Sequence, residues 1–246
     1  MSNPNVKPAQ GKLGVMVVGL GAVSTTFMTG VLMTRKGLAK PVGSMTQYDK
    51  IRVGKGADKK YLHYKDIVPI ADLNDIEFAA WDVYPANAYE SAINAEVLKE
   101  KDIEPVADEL KAIKPMRAAF DHNYAKRLDG ENYMKGATRW EMVENIRKDI
   151  RDFKAAKNLD RIVVLWAAST EVYVPVDEKV HYTLAALEAA MKADDKEHVA
   201  PSMCYAYAAL KEGAPFIMGA PNTTVDIPAM WELAEQTKMP IAGKDF

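Results

Sequence analysis

A short apolar run that leads directly into a glycine turn most constrains how this chain of 246 residues can fold. The six residues "LGVMVV" at 13–18 predict a buried strand. Gly19 and Gly21 follow at once, and Ser24 stands where the pattern G-x-G-x-x-G has its third glycine. In dinucleotide folds the first two glycines permit a tight turn and let the backbone approach a pyrophosphate. The stretch predicts a nucleotide-binding turn, with a turn that needs glycine for geometry alone as the alternative.

Apolar runs and helical patterns alternate along the rest of the chain. This alternation predicts an α/β fold, a Rossmann-like doubly wound parallel sheet with helices on both faces. Strands are predicted at 13–18, 77–81, 116–120, 161–166, 215–218 and 240–242. Helices are predicted at 86–100, at 139–157 behind a Thr138–Glu141 capping box, at 202–213, and from about Ile227 with Asp226 or Thr224 as N-cap. Because no helix follows the sixth strand, we expect the fold to be incomplete at the C-terminus.

The predicted domain organisation is simple. Residues 1–11 are polar and contain two prolines, which favours a flexible N-terminus. Residues 12–246 are expected to form one nucleotide-binding domain. Within it, residues 38–76 are rich in Gly, Lys and Asp and lack a long periodic face, so we interpret them as a loop-rich insertion that could include a short hairpin.

Composition and charge argue against several kinds of partner. A net charge of −2 lacks the basic excess of a nucleic-acid binder. No apolar run approaches the ~18 residues of a membrane span, and the first twelve residues lack the apolar core that is typical of a signal peptide, so none is expected. Cys204 is the single cysteine, which fits a reducing cytoplasm, and its alanine and aromatic neighbours favour a core residue over a nucleophile. The four histidines lack ligand spacing, so no metal site is expected.

Asp82 is the candidate for the acid that binds the adenosine ribose. That acid is expected ~20 residues beyond the glycines, at the end of the second strand, yet residues 38–50 contain no apolar strand that ends in an acid. Asp82 ends such a strand. If residues 38–76 are inserted before the second strand, Asp82 occupies the ribose position; a helix-capping or turn residue is the equal alternative. A carboxylate there would favour NAD over NADP by repelling a 2′-phosphate.

Polar residues also follow the predicted fourth and fifth strands. In open parallel sheets the ligand crevice lies beyond the carboxyl ends of the strands, so these side chains would converge on it. We also expect the hydroxyls of Ser24, Thr25 and Thr26 to lie at the positive end of a helix, where a phosphate would bind. Turn and N-cap chemistry is the alternative for the strand-end residues, which are Ser169, Thr170, Glu171, Asn222, Thr223 and Thr224.

Five segments of the chain together resemble a known family. In chain order they are "VVGLGAVSTTFMTG", "LNDIEFAAWDVYPANAYESAI", "VVLWAASTEVY", "FIMGAPNTTVDIP" and "MPIAGKDF". They resemble the NAD-binding portion of the myo-inositol-1-phosphate synthase family, also called inositol-3-phosphate synthase. The resemblance covers about residues 12–246 and is nearest to a bacterial branch. It implies NAD as cofactor and conversion of glucose 6-phosphate to inositol phosphate for inositol and phospholipid synthesis. The implied steps are oxidation at C5, enolisation, closure of C6 onto C1 and return of the hydride, in a homotetramer.

The resemblance also implies roles for individual residues. It assigns the pyrophosphate to Gly19, Gly21, Ala22, Val23 and Ser24, the ribose to Asp82, and the nicotinamide side to Ala167, Ser169, Thr170, Asn222 and Asp245. Family members continue beyond "AGKDF" into a segment that carries catalytic lysines and an assembly sheet. We therefore expect a fragment that has no catalytic residues and is inactive alone. An NAD-dependent sugar or polyol dehydrogenase and a non-catalytic NAD-binding module are the alternatives.

Overall fold

The computed structural model describes residues 9–245, so most of the predicted flexible N-terminus lies outside the described residues. The strands are β1 (Leu13–Val18), β2 (Lys50–Val53), β3 (Lys60–His63), β4 (Ile76–Asp82), β5 (Met116–Arg117), β6 (Arg161–Trp166), β7 (Phe216–Met218) and β8 (Ile241–Gly243). The helices are α1 (Ala22–Arg35), α2 (Met45–Tyr48), α3 (Ala88–Asn94), α4 (Glu100–Ile103), α5 (Ala107–Ala112), α6 (Arg139–Lys157), α7 (Glu178–His181), α8 (Leu184–Lys192), α9 (Pro201–Lys211) and α10 (Pro228–Thr237).

The main sheet has six strands in the order β5-β4-β1-β6-β7-β8, and every neighbouring pair is parallel. The remaining strands, β2 and β3, form a separate antiparallel hairpin within residues 38–76. With the hairpin set aside, the strand order is that of a doubly wound dinucleotide-binding sheet. The predicted fold class is confirmed. The strand order reverses between β1 and β6, and this switch point is where such sheets bind their ligands.

A row of bulky side chains crosses the carboxyl edge of the sheet. Val18 on β1 is in register with Trp81 on β4 and with Trp166 on β6. Both indoles stand edge-on to the ring of Tyr205, at centroid distances of 5.3 and 5.9 Å. All of these residues are buried. The switch point therefore has a rigid aromatic floor.

Helices cover both faces of the sheet. One face packs against α6, α8, α9 and α10, and the other against α1, α3 and α5. Helix α9 is enclosed so fully that every residue from Pro201 to Leu210 is buried. Cys204 lies at its centre, where burial raises the pKa of the thiol to about 12. Cys204 is therefore an inert core residue, as the sequence predicts.

The predicted single helix at 86–100 is wrong. Helix α3 ends at Asn94, Glu96 has a positive φ of 53°, and α4 begins only at Glu100. The apolar residues of this segment do not form one continuous stripe, because Ile93 and Val97 are 42% and 60% exposed. Without a buried face to hold the chain in register, the helix stops after two turns.

Two further predictions are corrected at element ends. The strand predicted at 116–120 is β5, and it ends at Arg117 because Ala118 leaves the strand to pair with Tyr133 in an isolated bridge. Helix α10 has Ile227 as its N-cap, with Pro228 in the first turn. Asp226 and Thr224 are not caps, since Asp226 pairs with Lys244 and the Thr224 hydroxyl is bonded to Ser202.

Candidate functional site

A cleft of about 390 Å³ opens above the switch point, at the carboxyl ends of β1, β4, β5 and β6. Its floor is the row of Val18, Trp81 and Trp166. Its walls are the four segments that leave these strands. The wall residues include Gly19, Gly21, Ala22 and Val23 after β1, Asp82 at the end of β4 with Val83 and Tyr84 after it, Ala118 to Asp121 after β5, and Ala167, Ala168, Ser169 and Glu171 after β6.

The two glycines of the first wall have different surroundings. Gly19 has a φ of +93°, and a Cβ placed on it would lie 2.6 Å from the Cα of Ala168. Only glycine fits there. Gly21 has an ordinary negative φ, and a Cβ placed on it would meet only open space. Gly21 is also the N-cap of α1, whose first turn contains no acid and receives no side-chain cap, so this helix start presents unneutralised N–H groups to the cleft.

The hydroxyls behind the glycine turn do not face the cleft as the sequence suggested. Ser24 Oγ donates to the carbonyl of Gly19 at 2.5 Å, and Thr25 Oγ1 donates to that of Gly21 at 3.0 Å. Both residues are buried. The expectation that these two hydroxyls bind phosphate is wrong: they hold the turn itself, and only the backbone of Ser24 remains for a ligand.

Asp82 lies beside the glycine turn, because β4 pairs directly with β1. Its Oδ2 accepts a hydrogen bond from the Leu20 N–H at 2.5 Å, and its Oδ1 accepts one from the Tyr84 N–H at 2.8 Å. Burial raises the pKa of Asp82, although these backbone hydrogen bonds oppose the shift. The long sequence distance from the glycines arises because the β2–β3 hairpin segment separates α1 from β4.

Of the residues predicted to contact the nicotinamide side of the cofactor, some line the cleft and others lie outside it. Ala167 and Ser169 line the cleft, whereas Thr170 lies on an adjoining groove with Lys126 and Arg127. Asn222 is buried behind Glu171, with its Oδ1 accepting from the Glu171 N–H at 3.0 Å and its Nδ2 donating to Glu171 Oε2 at 3.2 Å. Asp245, after β8, is exposed and does not line the cleft.

The charge of the cleft is one-sided. Asp82, Asp121 and Glu171 line it, while no Lys, Arg or His side chain of residues 9–245 does. Arg139 lies behind the wall, 1% exposed, where its Nη2 pairs with Asp121 Oδ2 at 2.7 Å. A phosphate in this cleft would therefore be bound by backbone N–H groups rather than by side-chain cations.

Three further residues of the site went unassigned at the sequence level. Asp121 follows β5 much as Asp82 ends β4, which is the signal that could have revealed it. Tyr84 lines the mouth of the cleft, with its hydroxyl donating to Asp129 at 2.8 Å. Trp166 lines the floor, and its buried indole N–H has no hydrogen-bond partner among the described residues. The sequence offers no signal for that unsatisfied donor.

Other kinds of site are not found in the described part of the chain. No group of His, Cys, Asp and Glu side chains in residues 9–245 could hold a metal ion. Over the same residues, no helix has both the length and the apolar character needed to cross a membrane.

Comparison with known proteins identifies the family to which this chain belongs. A model of the NAD-binding region of myo-inositol-1-phosphate synthase matches residues 13–246, nearly the whole chain. The chain belongs to the myo-inositol-1-phosphate synthase family. What matches is specifically the NAD-binding region of the family, so the cofactor predicted from the sequence is confirmed as NAD.

Individual members of the myo-inositol-1-phosphate synthase family agree with this assignment. The chain is 62% identical to inositol-3-phosphate synthase 1 of Bacteroides thetaiotaomicron over 98% of its length, and 35% identical to inositol-3-phosphate synthase 1 of Oryza sativa over 96%. A crystal structure of inositol-3-phosphate synthase from Caenorhabditis elegans superposes with a TM-score of 0.90 at 29% identity, over 98% of the chain. The chain spans 56%, 48% and 50% of these three proteins, about half their length.

Proposed function

We propose that this chain is the NAD-binding part of an inositol-3-phosphate synthase, an enzyme that converts D-glucose 6-phosphate to 1D-myo-inositol 3-phosphate. Family membership supports the activity, and one feature of the structure carries the proposal for the site. That feature is the open space above Gly21 at the uncapped start of α1, with the Asp82 carboxylate hydrogen-bonded beside it. This is the arrangement that a pyrophosphate and an adjoining ribose require.

The proposed binding mode follows the order of the walls. The pyrophosphate lies at the start of α1, and the remaining acceptor capacity of Asp82 receives the hydroxyls of the adenosine ribose. The second nucleotide lies on the β6 side of the switch point. The vacant Cβ position of Gly21 is the feature that a bound dinucleotide would complement. The proposed contacts are Gly19, Gly21, Ala22, Val23 and Ser24 for the pyrophosphate, and Ala167, Ser169, Thr170, Asn222 and Asp245 for the nicotinamide side.

Bound NAD would supply hydride acceptance and return, and the residues of this chain would bind and orient it. Because the described cleft has no side-chain cation, it offers little stabilisation to an enolate or alkoxide formed on a sugar phosphate. We therefore propose that turnover also needs groups from the other half of the relatives' length. A cytoplasmic location, a homotetrameric complete enzyme and a single NAD-binding domain over residues 12–246 complete the proposal.

Asp82→Asn tests the site. The substitution removes the charge and turns one of the two oxygens that accept from Leu20 and Tyr84 into an amide donor, so NAD affinity should fall by about 1–3 kcal/mol, the cost of losing charge-assisted hydrogen bonds. Calorimetric titration with NAD measures the change, and Asp75→Asn, at a residue that does not line the cleft, is the matched control. Unchanged affinity in Asp82→Asn would leave Asp82 as a residue of the turn alone.

Turnover tests the activity. Glucose 6-phosphate and NAD are incubated with this chain, and separately with a protein that also carries the region that follows in the relatives. We expect inositol phosphate without net NADH in the second reaction only. Net NADH release would instead indicate a sugar or polyol dehydrogenase, and NAD binding without turnover in either reaction would indicate a non-catalytic module.

A further inference from the structure

Glu171 is a buried carboxyl group in the wall of the cleft. It follows β6, lines the cleft, and is only 8% exposed. Its oxygens accept hydrogen bonds from the Ser202 N–H at 3.0 Å, from the Ser202 hydroxyl, and from Asn222 Nδ2 at 3.2 Å. Ser202 is in the first turn of α9, so the helix start also favours a negative charge here. Three donors converging on two oxygens suit the ionised form of the group.

No described residue forms an ion pair with that carboxylate. Every group that donates to Glu171 is neutral, and Glu171 makes no ion pair in residues 9–245. The nearby cation, Arg139, is committed elsewhere: its Nη2 pairs with Asp121 Oδ2 at 2.7 Å and its Nε donates to the Val199 carbonyl at 2.7 Å. A buried carboxylate without a counter-charge is costly, and a cation that enters the cleft would relieve the cost.

The sheet topology indicates which cation that would be. A dinucleotide lies across the switch point with one nucleotide on each half of the sheet. Asp82 marks the adenosine half on the β4 side, so the nicotinamide half falls on the β6 side, where Glu171 lies. The oxidised nicotinamide ring is positively charged and the reduced ring is neutral.

We propose that Glu171 is the counter-charge for the oxidised nicotinamide ring, and that it makes this cleft bind NAD+ in preference to NADH. The inference rests on the proposed NAD site and adds to it the discrimination between the two redox states. A preference for the oxidised form suits a cofactor that must be ready to accept a hydride at the start of each cycle.

The ionisable groups around Glu171 keep their charge near pH 7, so proton release at that pH can be assigned to Glu171. Burial raises the pKa of Glu171 to about 7, against hydrogen bonds from Ser202 and the charge of Arg139. Of its ionisable neighbours, Tyr124 and Cys204 have pKa values raised to about 12 by burial, so they stay protonated. Burial opposes ionisation of Asp121, but hydrogen bonding to Arg139 lowers its pKa overall. Near pH 7 Glu171 is therefore the member of this cluster that changes charge, and a cation beside it should release its proton.

Calorimetry at pH 7 in buffers of different ionisation enthalpy tests the proposal. NAD+ should release a fraction of a proton on binding to the unaltered chain, and NADH essentially none. Glu171→Gln should abolish the release, weaken NAD+ about tenfold and leave NADH affinity unchanged. Glu178→Gln, which removes an exposed carboxylate on the nearby helix α7, should behave as the unaltered chain does.

Each outcome separates the two proposals. If neither nucleotide binds, the proposed NAD site fails and the inference fails with it. If both bind with equal affinity and without proton release, the site stands and the role of Glu171 is refuted. Should Glu171→Gln not fold, the difference in proton release between NAD+ and NADH in the unaltered chain still decides the question.

Discussion

Gly19 and Gly21 belong to one sequence pattern but meet different physical demands. Replacing Gly19 with Ala forces a side chain onto a φ of +93° and against the backbone of Ala168, so the free energy of unfolding should fall by about 1–3 kcal/mol. Replacing Gly21 with Ala places a methyl group in open space at a permitted φ, and the lower entropy of the unfolded chain offsets the poorer N-cap, so stability should change by less than about 1 kcal/mol. The same methyl group would occupy the pyrophosphate position, and NAD affinity should fall at least about tenfold.

Urea unfolding and NAD titration of both variants check this prediction, and each variant is the control for the other. Equal losses of stability would show that both glycines serve the turn. If Gly21→Ala keeps full NAD affinity, the pyrophosphate does not bind at the start of α1.

The limits of sequence reasoning at this scale lie in hydrogen-bond partners. The residue types at 24, 171 and 224 correctly suggested polar chemistry near the strand ends. Which partner each side chain takes depends on distances of a few ångströms between segments far apart in sequence. Ser24 therefore bonds its own turn, although the sequence predicts a ligand contact for it. Thr224 bonds Ser202 on α9, although the sequence predicts a helix cap or a ligand contact.

At the scale of single elements, α6 shows when sequence is sufficient. Its predicted bounds, 139–157, are the observed ones, because a capping box fixes the start, a buried stripe holds the first three turns, and Asn158 ends the helix in the left-handed conformation. The stripe consists of Met142, Val143, Ile146 and Ile150. The segment 86–100 has a capping box too, at Asn87 and Glu90, but lacks the stripe and breaks.

Thr138→Ala tests the contribution of the α6 cap. The Thr138 side chain accepts from the Glu141 N–H, and its loss should lower the free energy of unfolding by about 1 kcal/mol. Ser44, the N-cap of α2, accepts no hydrogen bond from a backbone N–H of its helix and bonds only the exposed Thr46 hydroxyl at 3.3 Å, so Ser44→Ala should cost much less stability. A loss of similar size in both variants would mean that the cap hydrogen bond is not the cause.

At the scale of the whole molecule, the alternation of apolar runs and helices was enough to predict the sheet, because parallel strands buried on both faces leave few arrangements for the chain. The charge balance of the cleft could not be predicted in this way. The chain has 32 Lys and Arg residues against 34 acids, and only the folded structure shows that three acids line the cleft while Arg139 lies behind it.

The buried carboxyl of Glu171 should make the free energy of unfolding depend on pH. Its folded pKa, about 7, is raised above the ordinary value of 4.5, so folding favours its protonated form. The resulting stability is complete below the unfolded pKa and is lost as pH rises through 7. The melting temperature without nucleotide should therefore fall between about pH 5 and 8, and less steeply in Glu171→Gln.

The comparison with Glu171→Gln isolates this group. Hydrogen bonding to Asp195 raises the pKa of His198, which adds a change of the same sign in the same pH range. Because His198 is present in both proteins, only the difference between their slopes belongs to Glu171. Parallel melting curves would indicate that the carboxyl titrates alike in the folded and unfolded chain.

The aromatic floor of the cleft has an optical consequence. Trp81 and Trp166 flank Val18 directly beneath the switch point, whereas Trp140 lies on α6 and Trp231 on α10. Indole emission overlaps the absorption of a reduced nicotinamide but not that of an oxidised one. A dinucleotide above this floor would draw excitation energy from both indoles only while it carries the hydride. At that position the cofactor would make the chain its own unlabelled reporter, in which ultraviolet light absorbed by Trp81 and Trp166 reads out the redox state of the nicotinamide.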